Sequence, residues 1–178
     1  ADAGFMSIVG SILYTAMVCR PDIAFSVQSL GRHMQSSTAA HHVAAKRVLR
    51  YLKGTRELGI VYSGKVAGDG ELLTGYSDSD WAGDVDTRRS TTAFVFKIAG
   101  GAVSWSSRLQ PTVALSSTEA EYLALCAAAQ EAINLRQLLS DLGFRQEGPT
   151  VIYDDNQGCV ALANCTREGK RTKHIDVR

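Results

Sequence analysis

Proline is scarce in this 178-residue chain, with three residues in all, so little interrupts long helices or strands. Cysteine is sparse too: Cys19, Cys126, Cys159 and Cys165 form no C-x-x-C pair and no metal-finger spacing. That excludes a disulfide scaffold and a zinc finger, and it predicts reduced thiols in an intracellular protein. Long apolar runs are missing. The longest, Phe5 to Cys19, has 15 residues and is broken by Gly10, short of the roughly 20 that a membrane span needs. It also lacks the basic start and the small-residue cleavage site of a signal peptide, so a soluble protein with no membrane partner is expected. Net charge is nearly absent, at +1, which excludes a uniformly basic or acidic chain. The balance is uneven, however: residues 1–70 hold eight cations and four anions, and residues 71–178 hold eleven and fourteen. The first part can face a polyanion, and the second concentrates acid. What is plentiful is apolar residue, at 45%, enough to bury a core.

The centre of the pattern is Ser116-Ser117-Thr118-Glu119-Ala120-Glu121-Tyr122, which opens a run to Leu142 free of proline and glycine. Leu125, Ala128, Ala132, Leu135, Leu139 and Leu142 recur at alternating spacings of three and four, as on a helix with one buried face, and Gly143 stops it. Ser116 with Glu119 is a capping box, so the plainer reading of Glu119 is a carboxylate satisfying its own helix start. Before this, residues 1–54 read as helical. A first helix ends ahead of Pro21, a second capped by Asp22 runs to about Met34, and a third capped by Thr38 ends at Gly54. Lys46, Arg47, Arg50 and Lys53 share the outer surface of the third. A solvated face is the commoner meaning of such a group; phosphate contact is the alternative. Leu58 to Tyr62 reads as a short strand.

Strand-like runs follow at Leu72–Trp81, Thr91–Ile98 and Val103–Ser107, with a hairpin signal at Gly100-Gly101. After the long helix come a brief strand at Thr150–Tyr153 and a short helix at Asn156–Asn164. The predicted organisation is a helical segment over 1–62, a glycine-bearing linker over 63–70 and an α/β domain over 71–178. Strand four is expected parallel to strand one across the helical crossover.

That topology gathers acids. Tyr76, Asp78 and Asp80 alternate on one side of their strand, as do Tyr153 and Asp155 on theirs, with Asp154 facing away. Parallel pairing puts Asp78 and Asp155 together at the carboxyl ends of neighbouring strands, a usual place for a site. Glu119 and Glu121 stand about 200° apart on the helix, so one of them can lean over the sheet, and periodicity leaves open which. Three converging carboxylates repel one another unless a cation neutralises them. Oxygen donors without His or Cys suit Mg²⁺ or Mn²⁺ rather than zinc. Two such ions activate a water and stabilise the leaving oxygen of a phosphodiester.

The residues also carry a resemblance. Tyr-Ser-Asp-Ser-Asp-Trp-Ala-Gly-Asp (76–84), Ser-Thr-Thr (90–92), Ala-Val-Ser-Trp-Ser-Ser (102–107), Gln-Pro-Thr-Val-Ala-Leu-Ser-Ser-Thr-Glu-Ala-Glu-Tyr (110–122), Asp-Asn-Gln (155–157) and Arg-Thr-Lys-His-Ile-Asp-Val-Arg (171–178) resemble the ribonuclease H domain of copia-type LTR retrotransposon polyproteins. Upstream, Ser-Ile-Val-Gly-Ser-Ile-Leu-Tyr (7–14), Arg-Pro-Asp-Ile-Ala (20–24) and Ala-Ala-Lys-Arg-Val-Leu-Arg-Tyr-Leu-Lys-Gly-Thr (44–55) are similar to the thumb or connection region that ends the reverse transcriptase of the same polyproteins.

The resemblance implies a ribonuclease H-like fold: three antiparallel strands, a long helix, a parallel fourth strand and a short helix. It implies hydrolysis of the RNA strand of RNA/DNA hybrids by two Mg²⁺, with Mn²⁺ able to substitute. By position it assigns Asp78, Glu119 and Asp155 as catalytic and metal-binding acids, with Glu121 a neighbour of Glu119. Asp154 stands where the family more often has a small or apolar residue. The family's fifth strand and fourth acid lie beyond Arg178, so the domain is expected to be truncated. Asp176 is a late acid that could serve as a fourth ligand, although in the family it precedes the fifth strand. The implied partners are an RNA/DNA hybrid, held by cations such as Lys46, Arg47, Arg50, Lys53, Arg171 and Lys173, and the reverse transcriptase portion of the same polyprotein. The implied location is the cytoplasm, within a virus-like particle, or the nucleus. A catalytically impaired, nucleic-acid-binding remnant is the alternative role.

Overall fold

The computed structural model describes residues 2–64 and 72–164. The first part is helical. Helix α1 (Ala3–Val18) starts where the Asp2 carboxylate accepts the Gly4 and Phe5 backbone N–H groups, an N-cap that satisfies otherwise orphaned donors. A 3₁₀ turn (Pro21–Ile23) leads into α2 (Ala24–Gly31), and α3 (Ala39–Gly54) follows behind a Thr38 cap. The second helix is shorter than expected and Asp22 does not cap it. That carboxylate instead accepts from the Arg20 guanidinium at 2.7 Å and from the Tyr51 hydroxyl at 2.9 Å. Arg20 is buried and also donates to the Thr55 carbonyl and hydroxyl. A buried charge needs such partners, and this network ties the turn to the end of α3. Phe5, Val9, Ile12, Val27, Leu30, Ala45 and Val48 interlock beneath it as a separate core.

The remainder is a mixed sheet under a long helix. Strands β1 (Leu73–Asp80), β2 (Thr91–Ile98) and β3 (Gly101–Leu109) are antiparallel neighbours, and β4 (Val151–Tyr153) pairs parallel to β1, giving the order β3-β2-β1-β4. Helix α4 (Ser117–Asp141) makes the crossover, and α5 (Gln157–Ala163) follows β4. This is the ribonuclease H-like arrangement expected from the sequence, with four strands among the described residues. Ala128, Ala132 and Leu139 of α4 pack on Leu73 and Phe96. Gly75 is required there, because the Phe96 ring occupies the space a β-carbon would fill.

Three details depart from expectation. The hairpin turn is Ala99-Gly100, both at positive φ, so β3 begins at Gly101 and is longer than predicted. No strand forms over 58–62. That stretch lies against the hairpin tip instead, the Tyr62 hydroxyl donating to the Ala102 carbonyl and the Ser63 amide to Ala99. Leu142, expected on the buried face of α4, is the C-cap residue and is exposed. The two halves also touch: the Trp105 indole N–H donates to the Ala16 carbonyl at 2.8 Å, and Arg32 of the residues after α2 pairs with Asp84.

Candidate functional site

Strand pairing builds the site. The β1–β4 ladder pairs Thr74 with Val151, Gly75 with Ile152 and Tyr76 with Tyr153, and stops there. Asp78 and Asp155 each lie two residues beyond the last pair, so the ladder delivers them side by side at the strands' carboxyl ends. One oxygen from each lies within 4.8 Å of the other and of a carboxylate oxygen of Glu121. The helix acid that joins the strand acids is therefore Glu121, not Glu119.

Glu119 is occupied elsewhere. Its backbone N–H donates to the Ser116 hydroxyl at 3.1 Å, and its carboxylate accepts the Leu115 N–H at 2.8 Å. It closes the start of α4, which was the plainer reading of that residue. Two residues on, the helix has turned about 200° and Glu121 points into the protein with only 6% of its surface exposed. Gln110 fixes that turn. Buried behind the site, its amide donates to the Ala120 carbonyl at 2.9 Å, to Thr92 at 3.0 Å and to Ser79 at 3.4 Å, tying the first turn of α4 to β2 and β1. Sequence reasoning missed Gln110. Glu121 carried a readable signal: four residues before Leu125, it continues the same three-and-four spacing as the buried stripe.

Burial pushes the Glu121 carboxyl up to about 7, with the negative charges of Asp154, Asp78 and Asp155 acting in the same direction and the Ser79 backbone N–H opposing them. Its Oε2 is buried without a hydrogen-bond partner. A buried carboxylate with an unsatisfied oxygen beside two further carboxylates is costly, and a donor set all of oxygen, without His or Cys, suits a hard divalent cation. The residues present fit Mg²⁺ or Mn²⁺.

Asp154 is drawn inward behind the acids. Its carboxylate accepts the Ser77 hydroxyl at 2.8 Å and the Asn156 N–H at 3.0 Å, and the Cys159 thiol lies 3.8 Å away. Burial, with Asp154 and Glu121 nearby, pushes that thiol up to about 12, so it stays protonated. Cys19, Cys126 and Cys159 form no disulfide. On the outer side, Tyr76, Ser77, Asp78, Tyr153, Asp154 and Asp155 line an open cleft of about 300 Å³. The two tyrosine rings stack at 5.3 Å, with the Lys97 ammonium 4.9 Å from the Tyr76 ring centre.

Of the other sequence candidates, Lys46, Arg47, Arg50 and Lys53 are exposed on α3, whose buried side packs through Ala45 and Val48. They do not line the acidic cleft. Asp176, Arg171 and Lys173 lie outside the described residues. Trp81 donates its indole N–H to the Ala114 carbonyl and remains half exposed beside the site. Among the described residues, no helix is long and apolar enough to cross a membrane.

Comparison with known proteins places these features in a family. No protein-family model matches the chain, and no solved structure does. It is 44% identical, over its whole length, to the retrovirus-related Pol polyprotein from transposon TNT 1-94 of Nicotiana tabacum, and 40% identical, over 97% of its length, to that from transposon RE1 of Arabidopsis thaliana. It is also 50% identical, over 72% of its length and 89% of the relative's, to the secreted RxLR effector protein 161 of Plasmopara viticola. The chain spans 13% and 12% of the two polyproteins. With full-length similarity to these transposon sequences and the expected sheet order, the chain belongs to the Pol polyproteins of copia-type retrotransposons.

Proposed function

We propose that this part of the polyprotein hydrolyses the RNA strand of RNA/DNA hybrids, with Asp78, Glu121 and Asp155 as the metal-binding acids. The observation that carries the reading is the convergence of these three carboxylates, one of them buried with an unsatisfied oxygen. Mg²⁺ or Mn²⁺ bound there would supply an activated water and neutralise charge at the scissile phosphodiester. The chain's own residues do the rest. Asp78 is held within β1 by its pairing with Ala93 of β2, Asp155 follows directly on the end of β4, and Glu121 is placed by Gln110, which holds the first turn of its helix. Preorganisation of this kind keeps the cost of rearrangement out of the reaction itself. Hydrolysis of a phosphodiester also needs the site open on one side to a long polyanion, and the cleft beside Asp78 and Asp155 is open. The reverse transcriptase portion of the same polyprotein would be the natural source of the hybrid, and the activity would then lie in the cytoplasm, within a virus-like particle, or in the nucleus.

The test pairs two substitutions that the linear sequence makes look alike. With Mn²⁺ or Mg²⁺ and a labelled RNA/DNA hybrid, Glu121→Gln should lower the cleavage rate by about 10²-fold or more, and Glu119→Gln should leave it near the parent's. Thermal melts of the parent should rise with added Mn²⁺ by mass action, and those of Glu121→Gln should not. Cleavage that survives Glu121→Gln would overturn the assignment. Hybrid binding with metal uptake but no cleavage in the parent would assign the chain a binding role instead.

A further inference from the structure

The β1–β4 ladder ends two residues before the acids it delivers. Its last pair is Tyr76 with Tyr153, and β4 is only three residues long. Ser77 and Asp154 come next, and beyond them stand Asp78 and Asp155. A short terminal ladder frays, so the spacing of the two acids needs another tie. The structure contains one. The Ser77 hydroxyl, on a buried residue, donates to Asp154 Oδ2 at 2.8 Å, a side-chain bond across the two strands where the backbone bonds stop. The other carboxylate oxygen, Oδ1, accepts the Asn156 N–H at 3.0 Å. Asn156 in turn caps α5, its side chain accepting the Cys159 N–H at 2.9 Å. One carboxylate thereby grips the residue before Asp78 and the residue after Asp155.

We propose that Asp154 is a positioning residue: by bridging Ser77 and Asn156 it fixes the separation of Asp78 and Asp155 and so sets the affinity of the site for its divalent cation. This rests on the metal reading above and goes beyond it, since Asp154 itself is no ligand. Its two carboxylate oxygens are engaged by Ser77 and Asn156, and it is not among the three acids whose oxygens converge. A fourth negative charge beside three others carries a repulsive cost. The compensating gain is two acceptor oxygens facing two donors on different elements, which a small or apolar residue at this position could not provide.

The experiment measures Mn²⁺ affinity by titration in the intact chain, using variants that separate the bond from the charge. Ser77→Ala removes the bond and changes no charge. Asp154→Asn removes the charge but can still accept from Asn156 and donate to the Ser77 oxygen. Asp154→Ala removes both. Loss of a group that orients a metal ligand typically costs about 10- to 100-fold in affinity. Ser77→Ala and Asp154→Ala should each weaken Mn²⁺ binding by about 10-fold. Asp154→Asn should stay close to the parent, and the double alanine variant should be no weaker than Asp154→Ala alone, because the two residues act through one bond. Unchanged affinity in Ser77→Ala overturns the proposal, and so does Asp154→Asn weakening as much as Asp154→Ala, which would make charge the agent. Should Asp154→Ala not fold, the other two variants still decide. A parent that takes up no Mn²⁺ overturns the metal reading instead. The brace is then read in the metal-free protein from amide exchange at 155–157, where faster exchange in Ser77→Ala supports it and unchanged rates overturn it.

Discussion

Glu121 is a carboxylate whose protonation the fold shifts far from its ordinary value, and the direction of its effect on stability can be worked out. Its ordinary value, 4.5, governs the unfolded chain, and burial with three neighbouring carboxylates raises it to about 7 in the fold. Between those two values the folded chain keeps a proton that the unfolded chain has released. Stability therefore falls as pH rises through that window: the contribution is fully present below 4.5 and lost above about 7. Other groups titrate as well, Asp22 being held low chiefly by its bond from Arg20. The clean quantity is thus the difference in melting temperature between the parent and Glu121→Gln, without divalent ions. The parent should lose stability relative to the variant across this window, and saturating Mg²⁺ should flatten the difference because the metal takes the role of the proton. A difference that does not vary with pH would show that the carboxyl is solvated like any surface glutamate.

At the scale of elements, the long helix and the strands were readable because each depends on a local rule. Ser116 caps, the apolar stripe repeats and Gly143 stops; β-branched and aromatic residues mark β1, β2 and β3. The parallel β4 followed from the crossover rule rather than from its own three residues. The choice between Glu119 and Glu121 was harder, because a capping box and an active-site acid are both a glutamate near a helix start. The spacing that places Glu121 four residues before Leu125 on the buried stripe was the local signal for it, and the sheet beneath brings it to the strand acids. The predicted strand over 58–62 failed for a related reason. Val61 and Tyr62 have strand propensity, but at the hairpin tip the stretch is held by the Tyr62 hydroxyl and the Ser63 amide, and no ladder forms. Tertiary context decides such short runs. The same context makes Gly75 sensitive: its neighbour Phe96 is fully buried against α4, so a β-carbon has to displace an immobile ring. Gly75→Ala should destabilise the chain by about 1–3 kcal/mol in a denaturant titration, as overpacking does. A loss below about 0.5 kcal/mol would mean that the ring has room to move.

For the whole molecule the question is how a surface concentrating acid at one sheet edge can hold a nucleic acid at all. Asp78, Asp80, Asp154 and Asp155 crowd the carboxyl end of β1 and β4, and a phosphate backbone approaching without metal meets repulsion. The compensating charge resides in the other half of the chain. Lys46, Arg47, Arg50 and Lys53 all stand exposed on α3, with no carboxylate bonded to them among the hydrogen bonds and ion pairs of the described residues. The helical part is packed against the sheet through Trp105 with Ala16 and through Arg32 with Asp84, so its charge is carried at a defined place relative to the acids. If α3 tracks the phosphates while the acids, neutralised by metal, take the scissile one, the affinity of the chain for a hybrid must depend on salt through those cations. Each phosphate neutralised contributes roughly 0.7 to 0.9 to the slope of log affinity against log salt. Replacing all four by glutamine should therefore flatten the slope by up to about 3.6 and weaken binding without touching metal uptake, measured by the same Mn²⁺ titration. A slope unchanged by the fourfold variant would make α3 an ordinary solvated face and move the search for the hybrid's path to the Tyr76, Tyr153 and Lys97 side of the cleft.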